Sequence, residues 1–174
     1  MSRFTECLDH ILQWEGGYAN HPHDKGGETA KGITQATYND YNVDKGRTLE
    51  SVRDITEAEV KEIYLSRYWN ACRCEDLHPP LDFIVFDSAI QHGVSRAARW
   101  LQKLGGVMAD GKIGNETLFA VNQAILDHRL DALIDDYLAM RDAYYAQIIA
   151  GNPTQKVFEK GWKSRLNKLR EAVK

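Results

Sequence analysis

A chain of 174 residues with 43% hydrophobic and 27% charged side chains is long enough to bury a proper core and has the composition of a globular protein. No apolar run approaches the roughly 20 residues needed to cross a bilayer, which excludes a membrane span. A net charge of −3 argues against a general polyanion binder, so no nucleic-acid partner is expected.

The start, MSRFTECLDH, has no basic region leading into an apolar stretch, so no signal peptide is read and synthesis in the cytoplasm is expected. Within SRFTECLDHILQWE, Phe4, Leu8, Ile11 and Leu12 recur at helical spacing and predict an amphipathic helix with Glu15 on its apolar stripe. A polar, glycine-rich loop follows. Thr34 is placed to cap a short helix, QATYNDYN, and Thr56 with Glu59 forms a capping box opening EAEVKEIYLSRYWNAC. The buried face of that segment is Val60, Ile63 and Tyr64, with Tyr68 beside them.

Pro79 and Pro80 stand where proline is tolerated, ahead of LDFIVFDSAIQH, whose apolar density predicts a central buried helix closed by Gly93. Ser95 is placed to cap RAARWLQKL, ADGKIG forms a tight turn, and Asn115 opens ETLFAVNQAI. The longest helical pattern runs from Leu130 to Ile148 and ends at Gly151 and Pro153. With almost no period-two alternation, the fold class is all-α.

From Lys156 to Lys174, seven Lys or Arg stand against two Glu, while Phe158, Trp162, Leu166, Leu169 and Val173 mark one helical stripe. The plain reading is a solvated basic face over packed apolar side chains. Attraction to an acidic wall or membrane surface is the alternative. Cys7, Cys72 and Cys74 make an odd count and are read as reduced. Neither Cys72 and Cys74 near His78, nor His21 and His23 around Pro22, has the second ligand pair or helical spacing of a zinc site, so no metal and no cofactor is expected.

Glu15 is the residue with chemistry. The last carbonyls of a helix carry partial negative charge, and burial disfavours an ionised carboxylate, so both effects favour the protonated form that a general acid needs. Glycoside hydrolysis pairs such a group with a second carboxylate that stays ionised and attacks or positions water. Asp24 lies nine residues later on a loop whose Gly16, Gly17, Gly26 and Gly27 let the backbone double back, and Thr29 adds a hydroxyl able to share the water. A Glu before Gly-Gly is also a plain helix terminus and Asp24 a loop cap, so spacing alone leaves both readings open. Carboxyl separation decides between inversion and retention, and spacing leaves the two open, with inversion favoured.

The ordered run Glu15-Gly16-Gly17-Tyr18, Pro22, Asp24, Gly26-Gly27, Thr29, Gly32-Ile33-Thr34 resembles the signature of glycoside hydrolase family 108, phage endolysins and secretion-associated muramidases. The resemblance implies a lysozyme-like, all-helical fold and cleavage of the bond between N-acetylmuramic acid and N-acetylglucosamine, with Glu15 as the acid. Other phage-type lysozymes space Glu, Asp and Thr with eight and then five intervening residues; here there are eight and then four. Catalytic roles are expected for Glu15, Asp24 and Thr29, and substrate contacts for Tyr18, Gln35 and Gln91.

The segment FDSAIQHGVSRAARWLQKLGGVMADGKIGNETLFAV with GWKSRL resembles a predicted peptidoglycan-binding domain, through its LQ, DG-x-IG and T-L elements. Residues 1–92 are thus expected to be catalytic and 93–174 to form a peptidoglycan-binding helical region packed against them as one compact unit. The expected partner is bacterial peptidoglycan, reached by a monomer after release through a holin or dedicated system. Two other readings stand beside the muramidase: a non-catalytic wall-binding or secretion-helper protein, and a lytic transglycosylase, which needs no water-positioning carboxylate.

Overall fold

The computed structural model describes residues 1–18 and 28–173, and the chain divides into two compact units, Met1–Trp69 and Asn70–Lys174. The described residues form eight α-helices and one hairpin of two-residue strands, an all-α protein as the patterning implies.

In the first unit, α1 (Arg3–Trp14) starts where the Ser2 hydroxyl accepts the Thr5 N–H at 3.3 Å, and it buries Phe4, Cys7, Leu8 and Ile11. It ends one residue earlier than the pattern suggests. Glu15 is its C-cap, extended at φ −79° and ψ 143°, with its N–H on the Ile11 carbonyl at 3.1 Å. The strands β1 (Thr29–Ala30) and β2 (Ile33–Thr34) pair antiparallel, Thr29 opposite Thr34 and Ala30 opposite Ile33. Lys31 and Gly32 join them, both with positive φ as a type I′ turn requires. Two residues per strand are too few for alternation to show in sequence.

The caps of α2 (Gln35–Asp44) and α3 (Glu57–Tyr64) are the expected Thr34 and the Thr56–Glu59 box. Beyond Tyr64 the predicted helix does not continue regularly to Cys72; it widens into a π-helical turn, Leu65–Trp69. Ile11, Ile33, Tyr38, Ile63, Tyr64 and Trp69 form the centre of this core, with Phe4 edge-on to Trp69 at 5.5 Å. Full burial of each isoleucine contributes about 1.5–3 kcal/mol.

In the second unit, α4 (Leu81–His92) is buried over nine consecutive residues, Leu81 to Ala89, as its apolar density predicts. The helices α5 (Val94–Gly105), α6 (Asn115–Leu126), α7 (Leu130–Gly151) and α8 (Glu159–Ala172) follow. Ser95 does not cap α5. Gly93, at φ 85°, ends α4 and starts α5 at once, so the helix begins at Val94. The expected division at His92–Gly93 therefore falls inside the second unit, between α4 and α5.

Asp87 of α4 is fully buried. It accepts from Arg141 of α7 and from Nε and a terminal nitrogen of Arg165 in α8, at 2.9 and 2.7 Å. Burial by itself would raise this carboxyl; the two guanidinium groups outweigh it and hold Asp87 below the usual carboxylate range. The basic α8 is thus not simply a solvated face. Leu166 and Leu169 are buried and Trp162 stacks on Tyr145 at 5.1 Å, whereas Phe158, expected among the packed residues, is 53% exposed.

Candidate active site

The turn that ends α1 places the Glu15 side chain against the hairpin turn. A Cβ built on Gly32 would stand 3.0 Å from both Cδ and Oε2 of Glu15 and 2.5 Å from the Tyr64 hydroxyl oxygen. Only glycine leaves room for the carboxyl there, and φ of +77° at Gly32 independently favours glycine. Tyr64 donates its hydroxyl to the Lys31 carbonyl at 2.8 Å, tying α3 to the same turn. Tyr68, in the π-helical turn, lies 5.7 Å from Tyr64 between ring centroids. Burial pushes the Tyr68 hydroxyl up and the Glu15 charge adds to this, against an opposing effect of Arg67, so Tyr68 remains a neutral O–H.

Glu15 borders a cavity of about 470 Å³ whose walls are Leu8 and Leu12 of α1, Val60 of α3, and the backbone of Gly16 and Gly17. Lys31 and Glu57 stand at its edge, 3.6 Å apart. Space of that size lies in the range of ligand sites. Gly16 and Gly17 are not among the positive-φ glycines, and a side chain on either would meet no other described residue within 4 Å. A half-buried carboxyl near the neutral Tyr68 hydroxyl, on the wall of a cavity, is suited to exchanging a proton with a bound substrate.

Of the other expected site residues, Asp24 lies outside the described residues, as do Pro22, Gly26 and Gly27. Thr29 is half-buried and opens β1, so the hairpin carries it next to the turn that contacts Glu15. Tyr18 is 38% exposed, and the Arg53 guanidinium sits 4.7 Å from its ring centroid. Gln35 is engaged in holding the chain. Its amide donates to Asn39 at 2.7 Å and to the Glu50 carbonyl at 2.8 Å, and it accepts the Val52 N–H at 2.7 Å. Gln35 thereby braces the 3-10 turn Val52–Asp54 that presents Arg53 to Tyr18. Gln91 is exposed on the last turn of α4, in the second unit.

Sequence patterning did not single out Gly32 or Tyr64 as neighbours of Glu15. Tyr64 reads as an ordinary core residue, and the only available signal was a glycine inside the short Gly-Ile-Thr run.

The LQ, DG-x-IG and T-L elements of the second unit converge on Gln102. Its amide donates to Asp110 Oδ1 at 2.7 Å, the Lys112 carbonyl at 2.9 Å and the Thr117 hydroxyl at 3.3 Å, and it accepts the Gly111 N–H at 2.9 Å. Gly111, at φ +86°, is pressed against Ser95, which leaves no space for a side chain. These elements staple a loop to α5.

The family model described as Glycosyl hydrolase 108 matches residues 8–93, and the one described as Predicted Peptidoglycan domain matches residues 96–167. Among solved structures, SagA of Brucella abortus is similar, with 36% sequence identity and a TM-score of 0.78, covering 98% of this chain and 92% of that one. No curated protein matches the chain.

Proposed function

The chain belongs to the glycosyl hydrolase 108 family, with a peptidoglycan domain behind the family segment and an all-α, lysozyme-like fold, and from this premise we propose that it is an N-acetylmuramidase with Glu15 as its general acid. The observation that carries the reading is the seat of Glu15 against Gly32, beside Tyr64 and on the wall of the 470 Å³ cavity. A carboxyl held by backbone packing keeps one orientation while the sugar ring distorts, as proton transfer in the transition state demands.

In the proposed reaction, Glu15 delivers its proton to the glycosidic oxygen between N-acetylmuramic acid and N-acetylglucosamine as the C1–O bond breaks. Asp24, ionised, orients a water that adds to C1 from the opposite face and takes up its proton, which inverts the anomeric centre. Thr29 shares that water. Tyr18, fixed by Arg53, offers its ring to a sugar, and Gln35 acts through the turn that it braces. The enzyme works as a monomer on the wall after release from the cytoplasm, as an endolysin or a secretion-associated muramidase.

The test is digestion of purified peptidoglycan followed by mass spectrometry of the soluble fragments. Reducing N-acetylmuramic acid ends from the wild type, absent with Glu15→Gln, support the assignment. Anhydro ends would replace it with a lytic transglycosylase, and equal release by the variant would remove Glu15 from the chemistry.

A further inference from the structure

A cavity of about 360 Å³ in the second unit has no part in the proposed hydrolysis. Arg96, Arg99 and Lys103, spaced by three and four residues along α5, line it together with Trp100 of the same helix and Tyr144 of α7. The three cations are exposed, and among the described residues none forms an ion pair with a carboxylate. Arg96 is held over the Tyr144 ring at 4.0 Å, which fixes its position without neutralising it.

Further features favour an anion. Among the described residues no side chain caps the N-terminus of α5, at the edge of the same cavity, so its first N–H groups add positive potential. His92 lines the cavity with its ring packed on Trp100 and Tyr144, and its buried Nε2 has no hydrogen-bond partner among the described residues. Among the described residues, no acidic side chain lines the space.

We propose that this cavity binds a free carboxylate of the peptide stems of peptidoglycan, with Arg96 and Lys103 on the carboxylate and the adjoining alkyl group against Trp100 and Tyr144. The stems are the part of the polymer that combines carboxylates with small apolar side chains. Neutral sugars leave three cations unneutralised, and a phosphate polymer makes no use of the aromatic wall. The proposal rests on the reading that peptidoglycan is the substrate, and it assigns the second unit the role of gripping the stem while the first unit cuts the glycan.

The experiment is calorimetric titration of the full chain with a synthetic stem tetrapeptide ending in D-alanine, its C-terminal amide, and inorganic phosphate. Arg99 is left intact because its Nε lies against Gly111; Arg96→Glu and Lys103→Glu are the variants, checked for unchanged thermal unfolding. We expect the acid to bind, the amide to bind more weakly, and each reversal to weaken the acid about tenfold, as expected for loss of one charge-assisted contact. Failure of the wild type to bind the tetrapeptide, equal binding of the amide, or phosphate competing at equal concentration overturns the proposal, the last in favour of a phosphate-bearing wall polymer. Release of reducing ends from whole peptidoglycan is measured in parallel. Hydrolysis without tetrapeptide binding removes this site alone, whereas tetrapeptide binding without hydrolysis keeps the site and removes the muramidase reading.

Discussion

The Glu15 carboxyl and the Gly32 α-carbon are packed so closely that a methyl group on Gly32 would reach within 3.0 Å of the carboxyl carbon. One residue comes from the end of a helix and the other from a hairpin turn seventeen positions later. Gly32→Ala must move Glu15 or Tyr64 and also place alanine at φ +77°, a conformation costing roughly 1–2 kcal/mol by itself. The expected result is a lowered unfolding midpoint with a still larger loss of turnover. Unchanged turnover in the folded variant would separate Glu15 from this seat.

The three expected catalytic side chains differ in how much their loss should cost. Glu15→Gln removes the proton donor and should lower hydrolysis by on the order of 10²–10⁴-fold or more. Asp24→Asn removes the group that orients water and should cost orders of magnitude as well, though less than Glu15→Gln. Thr29→Val removes a hydroxyl hydrogen bond worth about 0.5–1.5 kcal/mol, a loss of roughly tenfold. Turnover of each variant on purified walls, with circular dichroism to confirm folding, checks the order. Full turnover by Asp24→Asn would show that another group positions the water.

His92 should make stability depend on pH. Burial first, and then the nearby Arg141 guanidinium, push its pKa down to about 3. The unfolded chain takes up a proton near pH 6.5 that the folded chain refuses, so stability falls as pH drops below about 6.5 and continues to fall toward pH 3. A whole proton of difference corresponds to about 1.4 kcal/mol per pH unit. His92→Phe keeps an aromatic ring against Trp100 and Tyr145 and should flatten the slope between pH 6.5 and 4 in urea titrations. An unaltered slope would place its origin elsewhere.

Arg165 and Lys168 both belong to the basic face of α8 but should respond differently. Arg165→Ala leaves the buried Asp87 with Arg141 alone and should cost about 3–5 kcal/mol, the range for breaking a buried ion pair. Lys168→Glu is exposed and should leave the unfolding midpoint unchanged. Retained wall binding by Lys168→Glu across a salt series would assign the basic helix to packing. Binding that weakens in the variant, and in the wild type as salt rises, would assign it to an acidic surface.

Gln102 bonds three backbone or side-chain groups of the 110–112 turn and one of α6. Gln102→Ala strands the Gly111 N–H in a buried position and should destabilise the protein by about 1–3 kcal/mol. Hydrogen exchange at Gly111 should accelerate more than exchange in α4. Unchanged protection there would mean that the turn holds without the staple.

Much of the molecule was legible in sequence because its determinants are local. The Thr34 and Thr56–Glu59 caps, the Gly93 helix stop and the buried run of α4 each rest on residues a few positions apart, where backbone hydrogen bonding and helical periodicity operate. The ordered Glu15 to Thr34 motif likewise carried the family. Only the tertiary structure decided what surrounds Glu15, because contact with Gly32 and Tyr64 depends on how separate elements pack, and each of those residues is ordinary in its own segment. The same holds for Arg165, which reads as one more solvated cation until Asp87, 78 residues earlier, accounts for its burial. Gln35 carried an expectation of substrate contact, and only the fold shows its amide spent on Asn39, Glu50 and Val52. Side-chain type is written in the sequence; the partner that uses it is set by packing across long separations.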